Sequence, residues 1–537
     1  MQLVGKGAQD HLVIGNPSFT HFRNMYKRHT DFAMEHFRLV WKTTNLSIPA
    51  NGNLTLRTKV ERFAQLLNDC YLSVDLPPIF SGLYPETTNP YEFQWIPNIG
   101  YNMINYVSVL INGQEIVRHT GEWMKLYTAL TFNGTKREVL NNLIGNLPEL
   151  YDPANAFGRN NSYPHSISTS QGLAESSIQG KTLSIPLHFW FCENVGAALP
   201  LIALQHSEVE IVVEFTNMYN MFTVLDQQGN RIAPTPDLYP MNLFLSPPLI
   251  NKTPSNPLLS LWSTNSFIEA NYIFLTETEM AHIAKTDHSF LITQINMVLR
   301  DGQYGPSNDM ELHLRNLCTR VVWVAQRSDR AALNDVDNYT NWENPKIRPT
   351  SGTGVLYSSG LVLPANVSQR DILLESNIVI DGKDRFTAKQ TEFFSNIQNY
   401  RHHQGTTIIE FPGLYSYSFA LDHVTNQPSG HINGSMFNKT ILRNTYVQPP
   451  LALTGNNIQT SVCILRSTAT NPRPTIIANP NALDSNGKPL YSPNDVVRVI
   501  SKTDANTLAY TYTVRAYTES YNYLRVIGGV ANVVFSS

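Results

Sequence analysis

The stretch from Leu183 to Phe215, LSIPLHFWFCENVGAALPLIALQHSEVEIVVEF, constrains this chain more than any other. Two runs rich in aromatic and β-branched residues are joined by the turn-prone Glu193-Asn194-Val195-Gly196. The second run ends in a period-two pattern, with Val209, Ile211, Val213 and Phe215 on one face and Glu208, Glu210 and Glu214 on the other. Successive side chains of a strand point to opposite faces, so this alternation describes a strand half buried against a core. Pro186 and Pro200 lack the amide donor of a ladder and belong at strand starts, edges or bulges. The stretch predicts a pair of long strands in an all-β domain.

The same rhythm recurs along the chain. Leu54, Leu56, Thr58 and Val60 alternate, and Tyr71–Leu76 runs into the strand stop Pro77-Pro78. Val107–Ile111 and Gln114–Arg118 flank Asn112-Gly113, a hairpin signal because both turn positions need positive φ. Trp123, Leu126 and Tyr127 suit a short amphipathic helix. A chain of 537 residues exceeds what one core organises, so two domains are expected. The prolines at 247, 248, 254 and 257 mark the boundary. The expected division is an arm over 1–24, a first sandwich over 25–245, a linker over 246–257 and a second sandwich over 258–537. Beyond the linker, strands are expected at Ser266–Thr276, Ser289–Leu299, Leu317–Val324 and Ile372–Ile380, with a short helix at Glu277–Lys285. Near the end, Tyr510, Tyr512 and Val514 alternate inward. Residues 132–180, 326–360 and 444–500 lose the pattern and read as long surface loops. In the arm and just after it, Phe19, Phe22 and Tyr26 fall at helical spacing beside Arg23, Lys27 and Arg28. That spacing suits a short capped helix, or else a basic, aromatic foot touching a membrane or an inner-shell protein.

Little chemistry shows itself. With 39 basic and 42 acidic residues, no cationic excess exists to hold a nucleic-acid backbone. No phosphate-cradling glycine loop, H-E-x-x-H or G-x-S-x-G occurs. His402-His403 is the tightest histidine pair, but neighbours on a strand face opposite ways and cannot readily share a metal. Cys70, Cys192, Cys318 and Cys463 show no metal-binding spacing and read as buried, inert thiols of a reducing compartment. No secretory leader is evident, and no apolar run reaches the roughly 20 residues a membrane span needs. Nine N-x-[ST] triplets occur, at Asn45, Asn53, Asn133, Asn160, Asn251, Asn338, Asn366, Asn433 and Asn438. An Asn- and Thr-rich chain makes such triplets by chance; Asn133, Asn160, Asn338 and Asn433 are kept as possible glycosylation sites. No catalytic, cofactor-binding or metal residue is expected.

Several of these stretches also carry a resemblance. IPLHFWFCENVGAALPLIALQHSEVEIVVEF is similar to a signature of the major capsid proteins of nucleocytoplasmic large DNA viruses. IPNIGYNMINYVSVLINGQEIVRHTGEWMKLYTALT resembles the first jelly roll of that family, and GLYSYSFALDHVTNQPSGHINGSMFN at 413–438 resembles the second. The beginning, MQLVGKGAQDHLVIGNPSFTHFRNMYKRHTDFAME, and the end, YTYTVRAYTESYNYLRVIGGVANVVFSS, are similar to the segments that open and close the family. The resemblance implies two tandem eight-stranded jelly-roll β-sandwiches with long surface loops and a few short helices. It implies a structural protein, with no enzymatic activity, that forms a pseudo-hexagonal homotrimeric capsomer tiling an icosahedral shell, assembled in the cytoplasm of the host cell. Partners would be further copies of itself, minor capsid proteins and an internal membrane at the base, where the family's N-terminal segment lies. The alternative from the residues themselves is a two-domain sandwich that binds or cleaves carbohydrate. Its mark would be an exposed aromatic row or a carboxylate pair in a cleft.

Overall fold

The computed structural model describes residues 7–81, 92–166, 175–225, 231–235, 241–245, 262–331, 333–342, 370–405, 411–423, 427–448, 461–465, 475–477, 488, 496–500 and 510–535. Strands dominate, and they form two sandwiches of the same plan. In the first, one sheet runs Phe32–Leu39, Phe267–Leu275, Leu66–Leu76, Lys181–Pro186, all antiparallel. The facing sheet runs Leu54–Lys59, Val209–Phe215, Ile104–Ile111, Gln114–Thr120. The second sandwich repeats this order with His288–Gln303, Tyr512–Ile527, Leu317–Arg327, Leu414–Ser418 against Asn308–Leu312, Thr440–Tyr446, Leu373–Ile380, Lys383–Asp384. In each sheet the strand that comes late in sequence inserts beside the first, which is the jelly-roll winding. Short added strands at Leu199–Pro200, Lys389–Gln390, Ile432–Asn433 and Val530–Val533 widen three of the four sheets.

Local signals account for many of these elements. Val209–Phe215 is a strand whose Val209, Ile211, Val213 and Phe215 are buried, as its alternation requires. The Asn112-Gly113 turn has φ of 52° and 79° and joins Ile104–Ile111 to Gln114–Thr120. Asp381-Gly382 does the same after Leu373–Ile380, with φ of 49° and 78°. Tyr510, Tyr512 and Val514 are buried, and Glu277–Lys285 is a helix.

Four expectations change. First, the run from Leu183 is not one long strand. It ends at Pro186, which has no amide to continue the ladder, and Trp190–Glu193 forms a helical turn. A turn lets consecutive Phe189, Trp190 and Phe191 all reach the core, whereas a strand would point the middle ring outward. Second, Phe267–Leu275, assigned to the second sandwich, lies between Phe32–Leu39 and Leu66–Leu76 in the first. A restart of strand rhythm after prolines reads the same whether the strand closes an old sheet or opens a new one. The linker 246–257 itself lies outside the described residues. Third, residues 132–180 are not structureless: Gly134–Ile144 is a helix capped by Asn133, stopped at left-handed Gly145, with Leu140 and Ile144 buried. Fourth, Phe19, Phe22 and Tyr26 are exposed on irregular chain rather than on a helix; among the described residues of the arm, His11–Ile14 forms the one helical turn. Of the expected loops at 326–360 and 444–500, residues 343–360 and most of 449–500 lie outside the described residues.

Candidate functional site

The two sandwiches meet along a seam, and its residues are the candidate site. The join is organised by the helix Gly121–Thr131. Thr120 caps it, its hydroxyl accepting the Trp123 N–H at 3.1 Å. Met124 faces the first core, while Trp123, Leu126, Ala129 and Leu130 pack against Val322, Val324, Tyr339, Phe411, Leu414 and Tyr517 of the second sandwich. This explains why Val321–Ala325, within the strand Leu317–Arg327, reads as an unbroken apolar run. Val321, Trp323 and Ala325 fill the second core, and Val322 and Val324 on the opposite face meet the helix. Close approach is enforced at Gly405, whose N–H donates to the Leu130 carbonyl at 2.9 Å. A Cβ there would stand 1.8 Å from the Ala129 carbonyl oxygen, so only glycine fits.

Charges are built into this apolar seam. Glu122 accepts from Arg515 Nε at 2.6 Å and from the Tyr339 hydroxyl at 2.8 Å, and the Tyr517 hydroxyl also donates to it. Burial by itself would raise the Glu122 carboxyl, but the Arg515 and Lys125 charges and these donors hold it down at about 2. Lys125, almost fully buried, pairs with Asp337 across the seam and donates to Asn102 Oδ1 at 3.1 Å. Asp337 also accepts from Asn98 and Asn102 at 2.7 and 3.0 Å. Arg320 pairs with Glu519 and lies over the Trp123 and Tyr127 rings at 5.5 and 5.7 Å. Elsewhere along the join, Asn334 donates to the Tyr219 and Phe222 carbonyls at 2.6 and 3.0 Å, and Gln294 to the Ile116 carbonyl at 2.8 Å. Buried charge pairs fix relative orientation, because any displacement leaves a desolvated ion without its partner. The two sandwiches are thus joined by apolar contacts, buried ion pairs and hydrogen bonds along one seam.

The sequence did not single out Glu122, Lys125, Asp337 or Arg515. The available signal was Arg515 set between inward-facing Val514 and Ala516, a cation in a strand with both faces covered. His402 and His403 are not on a strand: His402 ends the helix Gln398–His402, and buried His403 stacks on His423 at 5.1 Å. Burial, with Arg320 adding to it, lowers the basicity of both His403 and His423. Among the described residues, no group of three or more His, Cys, Asp or Glu is placed to hold a metal ion.

The four glycosylation candidates are scattered. Asn133 is exposed and its side-chain oxygen caps Gly134–Ile144 through the Lys136 N–H at 2.9 Å. Asn160 is exposed in a left-handed turn with φ of 49°. Asn433 is exposed and accepts from the Ser435 N–H at 3.1 Å. Asn338 is only 2% exposed, and its amide nitrogen donates to Asp335 and to the Trp342 carbonyl. That nitrogen is closed to a glycan in the folded chain.

The outer surface carries large apolar side chains in separate places. The arm presents Leu12, Phe19, Phe22, Met25 and Tyr26, Phe22 being 99% exposed. The second sandwich presents Tyr400, Leu421 and Met436. Set apart from one another, such side chains are ordinary on a protein surface; a contiguous patch of them is what marks a contact.

Comparison with known proteins agrees with this architecture. The family described as "Major capsid protein N-terminus" matches residues 20–275, and "Large eukaryotic DNA virus major capsid protein" matches residues 279–463. A major capsid protein of Phaeocystis pouchetii virus is 26% identical over 82% of this chain and 92% of its own. The major capsid protein of Paramecium bursaria Chlorella virus 1 is 24% identical over 100% of this chain and 99% of its own. Among solved structures, the PBCV-1 virus capsid superposes with a TM-score of 0.62 at 19% identity, covering 96% of this chain and 100% of that one. The Faustovirus major capsid protein superposes with a TM-score of 0.58 at 11% identity, over 95% and 93%. With family matches spanning most of its length and two jelly rolls locked side by side, this chain belongs to the major capsid proteins of large eukaryotic DNA viruses.

Proposed function

We propose that the chain is a structural tile, without enzymatic activity, that closes in threes around an axis into a pseudo-hexagonal capsomer. The observation that carries this is the seam. Two sandwiches of one winding, held rigidly by Gly121–Thr131 and its buried charges, present six similar lobes when three chains meet. Rigidity matters because a tile that flexes at its middle cannot keep the register of its neighbours. Lateral contacts of an obligate trimer commonly bury on the order of 2,000 Å² or more. Exposed apolar side chains such as Tyr400, Leu421 and Met436 suit that role.

The division into domains follows the strand pairing: we place it at 276–287, around the helix Glu277–Lys285, which supersedes the 246–257 linker. The two family matches, ending at 275 and starting at 279, support this position. The arm over 7–31, with its bare aromatic residues beside Arg23, Lys27 and Arg28, is the segment proposed to meet minor capsid proteins or an internal membrane beneath the shell. Assembly in the host cytoplasm fits free thiols at Cys70, Cys192 and Cys318. Any glycan would sit on Asn133, Asn160 or Asn433. The test is the solution mass by light scattering after size exclusion. A stable species at about three times the 60.5 kDa chain supports the capsomer. A monomer that persists on concentration defeats it.

A further inference from the structure

Two stacked histidines close one corner of the seam. His403, just past the helix Gln398–His402, is buried, and its ring lies on that of His423 with centroids 5.1 Å apart and planes 23° from parallel. Neither ring nitrogen of His403 has a hydrogen-bond partner among the described residues. His423 is only partly buried, and its Nε2 shares a hydrogen bond with the Ser418 hydroxyl at 2.6 Å. One ring of the stack is thus sealed, and the other can meet water. The stack clasps two segments that neighbouring hydrogen bonds also tie. The Ser418 N–H donates to Gln398 Oε1 at 3.0 Å, the Ser416 hydroxyl to Asn399 Oδ1 at 2.8 Å, and His402 Nδ1 to the Leu421 carbonyl at 2.9 Å. Two residues beyond His403, the Gly405 N–H reaches the Leu130 carbonyl of the seam helix.

This corner suits neutral rings. Arg320 stands directly opposite Ser418 in the strand ladder, so both side chains lie on the face that meets the seam helix. His402 and Arg401 precede the stack on its own segment. Against these cations stand two carboxylates: Glu519, which Arg320 engages, and Asp422, next to His423 in the chain. On the seam helix, Tyr127 lies by Arg320, while Glu122 and Lys125 are held by Arg515 and Asp337. We propose that the His403–His423 stack is an acid-sensitive latch: on taking up protons it parts, frees segment 398–405 from Leu414–Ser418 and loosens Gly405 from the seam helix. The proton enters at His423, and a second one on His403 would set two cations face to face beside Arg320. Burial first, with the Arg320 charge adding to it, keeps both rings neutral in the folded chain, below the ordinary histidine value of 6.5. The folded value is the lower one, so the stack's contribution is whole above pH 6.5 and is lost as pH falls below it. On the shell reading above, the latch softens each tile in an acidic compartment; the latch itself rests on the seam within one chain.

The experiment is amide hydrogen exchange of the full-length protein, followed by mass spectrometry of its peptides and corrected for the intrinsic effect of pH on exchange. The His403 and Gly405 amides, bonded to the Asn399 and Leu130 carbonyls, report the latch. Between pH 7.5 and 5, one histidine held neutral in the closed state should raise the opening of 398–405 about 30-fold. The core strand Val209–Phe215, read in the same samples, should open less. Its response includes the buried neutral His119, which is common to every variant. His403→Phe keeps a ring in the stack and removes no hydrogen bond, and His423→Gln keeps an N–H for Ser418. Each should lose most of the pH response at 398–405, and the double variant should match the core strand. Either single variant carries the comparison if the other fails to fold. A response in the variants as large as in wild type, or wild-type opening at 398–405 no greater than in the core strand, would overturn the proposal. The readout lies within one chain, so failure to trimerise leaves the latch standing, and failure of the latch leaves the capsomer reading standing.

Discussion

Replacing Glu122 with glutamine tests whether the seam is held by its buried charges. In the folded chain the Glu122 carboxyl titrates at about 2, against 4.5 for an unperturbed glutamate. Burial opposes this, so the depression measures how strongly Arg515, Lys125 and the hydroxyl donors favour the ion. At about 1.4 kcal/mol for each tenfold, the difference corresponds to about 3 kcal/mol of stability. The sign follows from the folded value being the lower one. The contribution is complete above pH 4.5 and is lost as pH falls towards 2. Glutamine keeps the shape but leaves Arg515 buried without a counter-charge, and breaking a buried pair from one side typically costs about 3–5 kcal/mol. The two routes agree. Urea unfolding of wild type and Glu122→Gln should therefore differ by about 3 kcal/mol at pH 7, with the gap shrinking between pH 4.5 and 2.5. Glu193 and Glu214 are also held low and titrate in this range, but their contribution cancels in the difference. A gap under about 1 kcal/mol at pH 7, or one unchanged at pH 2.5, would show that the apolar contacts alone hold the seam.

Three further outcomes are expected. Gly405→Ala should cost about 1–3 kcal/mol in thermal or urea unfolding, because its methyl would meet the Ala129 carbonyl and the seam must open to admit it. A fragment ending at 250 should aggregate, since it lacks Phe267–Leu275 and leaves Phe32–Leu39 and Leu66–Leu76 with open edges; one ending at 276 should show better-resolved β circular dichroism and remain dispersed. Among the described side chains, deleting residues 1–31 removes exposed ones only, so the melting temperature should stay within about 1–2 °C while any pelleting with vesicles of anionic lipid is lost. Unchanged pelleting would move the membrane-facing surface elsewhere.

Strand type and turn position were legible wherever the signal was local. Val209–Phe215 alternates because one face is core and the other solvent, and Asn112-Gly113 turns because those residues tolerate positive φ. The aromatic run at 189–191 misled because a short apolar run reads alike as a buried strand or a helical turn, and only the burial of all three rings tells them apart. The missed helix Gly134–Ile144 carried its own signals, Asn133 before it, Leu140 and Ile144 at helical spacing, and Gly145 after it. They were hidden only by the polar residues around them.

The amino-acid sequence alone determined that this chain is built of strands, where several of them lie, and to which family it is similar. Those properties follow from side-chain periodicity and turn chemistry within a few residues. Tertiary structure alone decided which sheet Phe267–Leu275 completes and which charges meet at Glu122 and Asp337. Each of these joins residues distant in the chain, and a strand's pattern records only that one face is buried, never which partner buries it.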